Sequence, residues 1–180
     1  MKALLIIDMQ NDYFSGGRME LKDTDLALQN CLKLAKFARK MKYQIYIIQH
    51  FSKSKNAPFF TPDSDGVKLH KNLKLIYGEI IKKNFPNSFR ETNLLEKLQS
   101  NSIKDILVCG AMTHMCIDSS VRAGFDLGFN ITVASDACAT KDLTFKNNKI
   151  PAKDVQSAFL SALDGTFCSV KETEDLVTFY

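Results

Sequence analysis

A doubly wound α/β fold is what this sequence predicts: a three-layer α/β/α sandwich around a mostly parallel sheet of about six strands. Three observations lead there. Short apolar runs recur at residues 3–7, 43–48, 79–81, 106–109, 131–134 and 167–170, and they are mostly non-alternating, as strands covered on both faces must be. Between them lie stretches with helical apolar spacing. One long irregular segment, residues 51–72, interrupts the rhythm.

In chain order, the run 3–7 reads as a buried strand ending at Asp8. Residues 23–41 place Leu26, Leu28, Leu32, Leu34 and Phe37 on an amphipathic stripe. The second strand, 43–48, is followed by Gln49 and His50. Residues 51–72 hold Ser, Lys, Asn, two prolines and a glycine, which reads as a lid or mobile segment over a site. After the short strand 79–81 come Lys82 and Lys83, of which strand alternation lets only one face the site. A helix over 92–100 opens at Thr92 and carries Leu94, Leu95 and Leu98. The fourth strand, 106–109, leads through a polar-tipped turn to Cys116 and a helix 116–127 stopped by Gly128. A strand at 131–134, a helix at 152–163 and a strand at 167–170 complete the chain. Right-handed crossovers connect such units.

At 180 residues, with 45% hydrophobic and 24% charged residues, the chain reads as one domain over 1–180. A net charge of +4 spread along the sequence predicts no nucleic-acid partner; Lys33, Lys36, Arg39, Lys40 and Lys42 read as a solvated helix face. No apolar run approaches the length that spans a bilayer, so no membrane partner is expected. The first apolar run meets Asp8 too early for a signal core. Five cysteines without CxxC or framework spacing point to a reducing setting, and the expected location is the cytoplasm.

In a sheet of this kind ligands sit beyond the carboxyl ends of the strands. Those ends supply Asp8, Gln49, His50, Lys83 and the turn 110–116. A thiol opening a helix faces orphan N–H groups, which favour its thiolate and could receive an oxyanion. Asp8, at the end of a buried strand, is either a turn cap or a general base with a pKa raised by apolar surroundings. His114 as a base two residues before Cys116 lacks an evident orienter. No two histidines sit at helical ligand spacing, so the expectation is no metal and no cofactor.

Three separated motifs carry a resemblance: Asp8-Met-Gln-Asn-Asp-Tyr13, Lys83-Asn-Phe-Pro-Asn-Ser-Phe89 with Thr92-x-Leu94, and Gly110-Ala-Met-Thr-His-Met-Cys116. With Arg122-Ala-Gly-Phe and Asp136-Ala-Cys-Ala-Thr140, the sequence resembles the isochorismatase-like cysteine hydrolase superfamily over residues 2 to 170. The resemblance implies a catalytic triad of Asp8, Lys83 and Cys116. It also implies a cis Ala111–Met112 peptide and an oxyanion hole formed by the N–H groups of Met112 and Cys116. Tyr13, Gln10 and Phe89 become candidate substrate-binding residues; Phe51, Phe59 and Phe60 are further candidates for the pocket wall. Nicotinamidases of that superfamily carry an Asp-x-His-x-x-His metal run where this chain has His50-Phe-Ser-Lys-Ser-Lys.

The activity so implied is cleavage of a C–N bond in a small amide, imide or carbamoyl substrate through a thioester. Vinyl-ether hydrolysis of the isochorismatase type, which would not need Cys116, and a non-catalytic binding module are the alternatives. Relatives of this kind form homodimers or homotetramers, and the exposed-looking pair Phe59 and Phe60 is expected to be buried at a subunit interface or over the site mouth.

Overall fold

The structure is a computed structural model, and it describes residues 1–178. Strand β1 (Lys2–Ile7) leads to helix α1 (Thr24–Lys40), followed by β2 (Gln44–His50) and β3 (Glu79–Lys83). Then come α2 (Leu94–Ser100), β4 (Asp105–Ala111), α3 (Asp118–Asp126) and β5 (Asn130–Ala139). A short hairpin, β6 (Leu143–Phe145) with β7 (Asn148–Ile150), precedes α4 (Ala152–Leu163), β8 (Ser169–Lys171) and α5 (Thr173–Val177). The main sheet has six strands in the order β3-β2-β1-β4-β5-β8, all parallel.

The fold class and the six apolar runs match the sequence expectation, with shifts at the element ends. Helix α4 lies where its spacing put it, and Gly128, at φ 85°, closes the helix before it. Three elements differ. The hairpin β6–β7 and helix α5 have too few apolar residues to announce themselves; both strands of the hairpin are largely exposed. The expected helix 116–127 begins instead as a π-helical turn, Thr113–Ile117, and becomes α-helical only at Asp118. Cys116 therefore sits inside the turn rather than at a helix N-terminus.

The central strands are apolar because both faces are covered. Leu4, Ile6, Ile47 and Cys109 face one cluster with Leu28, Cys31, Leu34 and Ala38 of α1. Leu5, Ile7, Ile48 and Val108 face the other with Leu94, Leu98, Val121 and Leu163. Burial of these side chains, each about 1.5–3 kcal/mol, is the main stabilising force.

Topology decides where chemistry can sit. After β1 the chain runs outward to β2 and β3, then crosses back to β4 on the other side of β1. The carboxyl ends of β1 and β4 thus flank a switch point, where a crevice forms. Gly110 lets the two strands close there. Its φ is 121°, and a Cβ at that position would run into the Ile7 carbonyl oxygen.

Candidate active site

Four side chains meet at this switch point. Asp8 follows β1, His50 ends β2, Lys83 ends β3, and Cys116 lies in the turn after β4. His50 and Lys83 are register partners in adjacent parallel strands. Asp8 is fully buried, Lys83 is 1% exposed and Cys116 is 4% exposed. Lys82, its neighbour by alternation, points outward over the Phe51 ring.

Lys83 is the hub. Its Nζ lies 2.7 Å from Asp8 Oδ2, 3.1 Å from Cys116 Sγ and 3.0 Å from His50 Nδ1. It also reaches the carbonyl oxygens of Phe85 at 3.1 Å and Pro86 at 3.4 Å. An ammonium has three protons to give, so these five acceptors compete and the shortest contact, to the carboxylate, dominates. Burial pulls the Lys83 pKa down, but the fields of Asp8 and Cys116 outweigh it and the ammonium is held above its usual value.

Cys116 departs from the expectation of a thiol whose proton is more easily lost at a helix N-terminus. Its pKa is pushed up, first by burial and then by the Asp8 carboxylate, with Lys83 pulling back. Loss of the thiol proton to water would leave the cluster with a net buried negative charge, whereas passing it to Asp8 keeps the charge balanced. The turn itself is well anchored. Met112 O accepts from the N–H groups of Met115 and Ile117, bracketing Cys116. Thr113 donates to Gln156 Oε1 at 2.6 Å, while Gln156 holds the Ser135 and Cys138 carbonyls of β5. The Ala111–Met112 peptide is cis.

Asp8, His50 and Cys116 place potential metal-ligand atoms within 4.8 Å of one another. The Lys83 ammonium already lies in hydrogen-bond contact with all three residues, filling the role a cation would take. His50 is pushed down to about 4, by burial first and then by Lys83, so its ring is neutral at neutral pH. His114 is tied to Thr140 Oγ1 at 2.6 Å and rests against Phe159, away from a base role. His70 stacks on Phe14.

Among the residues proposed for substrate binding, the structure separates three cases. Tyr13 is buried beside the site against Phe60, with its phenol pushed up by burial and by the negative fields of Cys116, Asp8 and Asp12. Gln10 is not a pocket residue. Its amide donates to the His50 and Val67 carbonyls and accepts from the His50 N–H, so every polar atom is spent on backbone. Phe89 stacks on Phe129 and lies beside Gly124 of α3, partly buried against the second core cluster. Both sit in matching motifs, but sequence spacing does not reveal which way a side chain turns.

The 51–72 segment is an ordered cover. Asp12 Oδ2 accepts from the Phe60 N–H at 2.6 Å and Oδ1 from the Arg18 N–H. Phe60 is buried within its own chain against Tyr13, Phe59 and His50 rather than exposed. Asp12→Ala removes two charge-assisted bonds worth about 1.5–3 kcal/mol each. Limited trypsin digestion should then cut at Lys53 or Lys55 at least about tenfold faster, since 1.4 kcal/mol already corresponds to that factor. An unchanged cleavage rate would show that Asp12 does not hold the cover.

A six-stranded parallel sheet covered by helices, with a buried thiol, carboxylate and ammonium at its switch point, defines a doubly wound α/β protein with a reactive centre at the carboxyl ends of its strands. A profile of the isochorismatase domain matches residues 2–174, and the chain belongs to the isochorismatase family of hydrolases. It is 42% identical to YddQ, an uncharacterized isochorismatase family protein of Bacillus subtilis (strain 168), over 96% of both chains. Nicotinamidase 3 of Arabidopsis thaliana is 28% identical over 77% of this chain and 73% of its own. A solved structure from Oleispira antarctica, described as a candidate isochorismatase hydrolase, superposes with a TM-score of 0.92 at 41% identity, covering 98% of this chain and 96% of its own. Among the described residues no helix is long and apolar enough to cross a membrane.

Proposed function

We propose that the protein is a cysteine amidohydrolase that cleaves a C–N bond of a small amide, imide or carbamoyl compound. The observation that carries this is Cys116 Sγ within 3.1 Å of the Lys83 ammonium, which is itself paired with the buried Asp8. As substrate binds, the Cys116 thiol passes its proton to Asp8 and the sulfur attacks the carbonyl carbon. The carbonyl π pair moves to oxygen, which the N–H groups of Met112 and Cys116 receive. Collapse of that oxyanion expels the amine, which leaves with the proton from Asp8. Water, deprotonated by Asp8, then hydrolyses the thioester and regenerates the thiol. Lys83 orients Asp8 and balances the charge of whichever partner, carboxylate or thiolate, is ionised at each step. The similarity to a nicotinamidase supports an amide as substrate.

The test is an ammonia-release screen over small amides, imides and carbamoyl compounds. Turnover of at least one class that is lost when Cys116 is replaced supports the reading. Hydrolysis confined to vinyl ethers and independent of Cys116 would replace it. Because Lys83 supplies the cation of the cluster, activity is expected to survive EDTA, with elemental analysis finding no stoichiometric transition metal. One removable metal per chain, lost together with activity, would overturn that.

The same reading includes self-association as a homodimer or homotetramer. The edge strand β3 and the segment before it expose Leu75 (83%), Tyr77 (93%) and Ile80, an apolar face that a second copy would cover. Light scattering should give a mass of at least twice 20.3 kDa. A clean monomer that Tyr77→Ser leaves unaltered would refute it.

A further inference from the structure

We infer that His50 is the substrate-docking donor of this site, its Nε2–H binding a carbonyl or carboxylate oxygen of the substrate while Lys83 sets the ring's tautomer. The inference rests on the hydrolase reading above and specifies what holds the substrate's acceptor.

The argument begins with the contact between Lys83 Nζ and His50 Nδ1 at 3.0 Å. An ammonium only donates, so Nδ1 must accept and carries no proton. The ring is neutral at neutral pH because burial and Lys83 disfavour its cation. Its single proton is therefore on Nε2, and among the described residues that N–H has no hydrogen-bond partner.

The ring is also held in place. Gln10 grips both the N–H and the carbonyl of His50, at 2.7 and 2.9 Å, and Phe60 lies against the imidazole with centroids 5.8 Å apart. Rigid placement of this kind is what a docking group needs. Of the three side chains that Lys83 contacts, Asp8 is fully enclosed and Cys116 is buried, while the His50 side chain is 17% exposed. Nδ1 faces Lys83, so the Nε2 edge is the side of the ring turned away from the ammonium. A donor at that edge selects an oxygen acceptor and rejects a cationic group, which would meet the neighbouring ammonium. The structure also explains Gln10: a residue that appeared to touch substrate acts one step back, by fixing the residue that does.

The test has a part that needs no substrate. Two-bond 1H–15N correlation spectra of 15N-labelled protein at pH 7 should show His50 as the Nε2–H tautomer, assigned by its loss in His50→Gln. A resident Nδ1–H tautomer would overturn the inference. In the second part, the compound hydrolysed best in the ammonia screen is assayed with two variants. His50→Phe keeps a ring without polar atoms and should lose about 10²-fold in kcat/KM. His50→Gln can accept from Lys83 and still donate outward, and should stay within about tenfold of the parent. Equal losses in both variants, or none in His50→Phe, would defeat the docking role. Cys116-dependent turnover that ignores His50 sinks this inference alone, whereas turnover independent of Cys116 sinks the hydrolase mechanism beneath it.

Discussion

Cys116→Ala and Cys116→Ser are expected to fold as the parent does and to lose turnover by about 10⁴-fold or more, because the attacking atom is gone. Serine is the sharper variant. Its hydroxyl is nearly the size of the thiol and can still pair with Asp8 and Lys83, so thermal unfolding should move little. Its oxygen is far harder to deprotonate, and the site has no histidine placed to help: His50 accepts from Lys83 and His114 is bound to Thr140. A folded serine variant with more than about a tenth of parental kcat would show that the sulfur is not the nucleophile.

The second large effect concerns the buried ion pair. Lys83→Met leaves the Asp8 carboxylate buried without its counter-ion, and Asp8→Asn strands the ammonium; each should cost about 3–5 kcal/mol of stability. Removing both together, as Asp8→Asn with Lys83→Met, should recover most of that stability, since no charge is left unpaired. Activity should not recover in any of the three, with losses of about 10²-fold or more for want of the general base or of the ammonium that orients it. Chemical denaturation and kinetics of the two single variants and the double variant separate the roles. A double variant as unstable as either single one would mean that the pair is held by packing rather than by charge.

The pair also has a pH signature. The folded Lys83 pKa is raised above its unfolded value, so its stabilisation is complete below about 10.4 and is lost as pH climbs through the folded pKa. Alkaline unfolding of the parent should therefore be steeper than that of the double variant.

Particular residues show what could be read beforehand. The runs ending at Asp8 and at Lys83 are apolar for several residues and then abruptly ionic, so both strand ends and both site residues stood out. Cys116 stood out for the same reason, as a thiol just beyond a buried strand. The sequence places His50 at the strand end beside the site but not its partner, because that contact comes from facing Lys83 across two strands whose pairing no local pattern states. Gln10 and Phe89 occupied the right motifs and took other tasks.

What the sequence by itself determined is the periodicity: which segments are buried on two faces, which on one, and hence a parallel sheet with reactive groups at its carboxyl end. Local spacing encodes this because burial repeats along the chain. Only the tertiary structure decided the charge state and partners of the site. The Cys116 thiol is pushed up rather than down because it is buried and faces the Asp8 carboxylate, which lies far away in sequence. The cation of the cluster is Lys83, and the cover is pinned by Asp12, again through contacts tens of residues apart. Desolvation and Coulomb energy depend on distances in space, and those are set by strand order rather than by position along the chain.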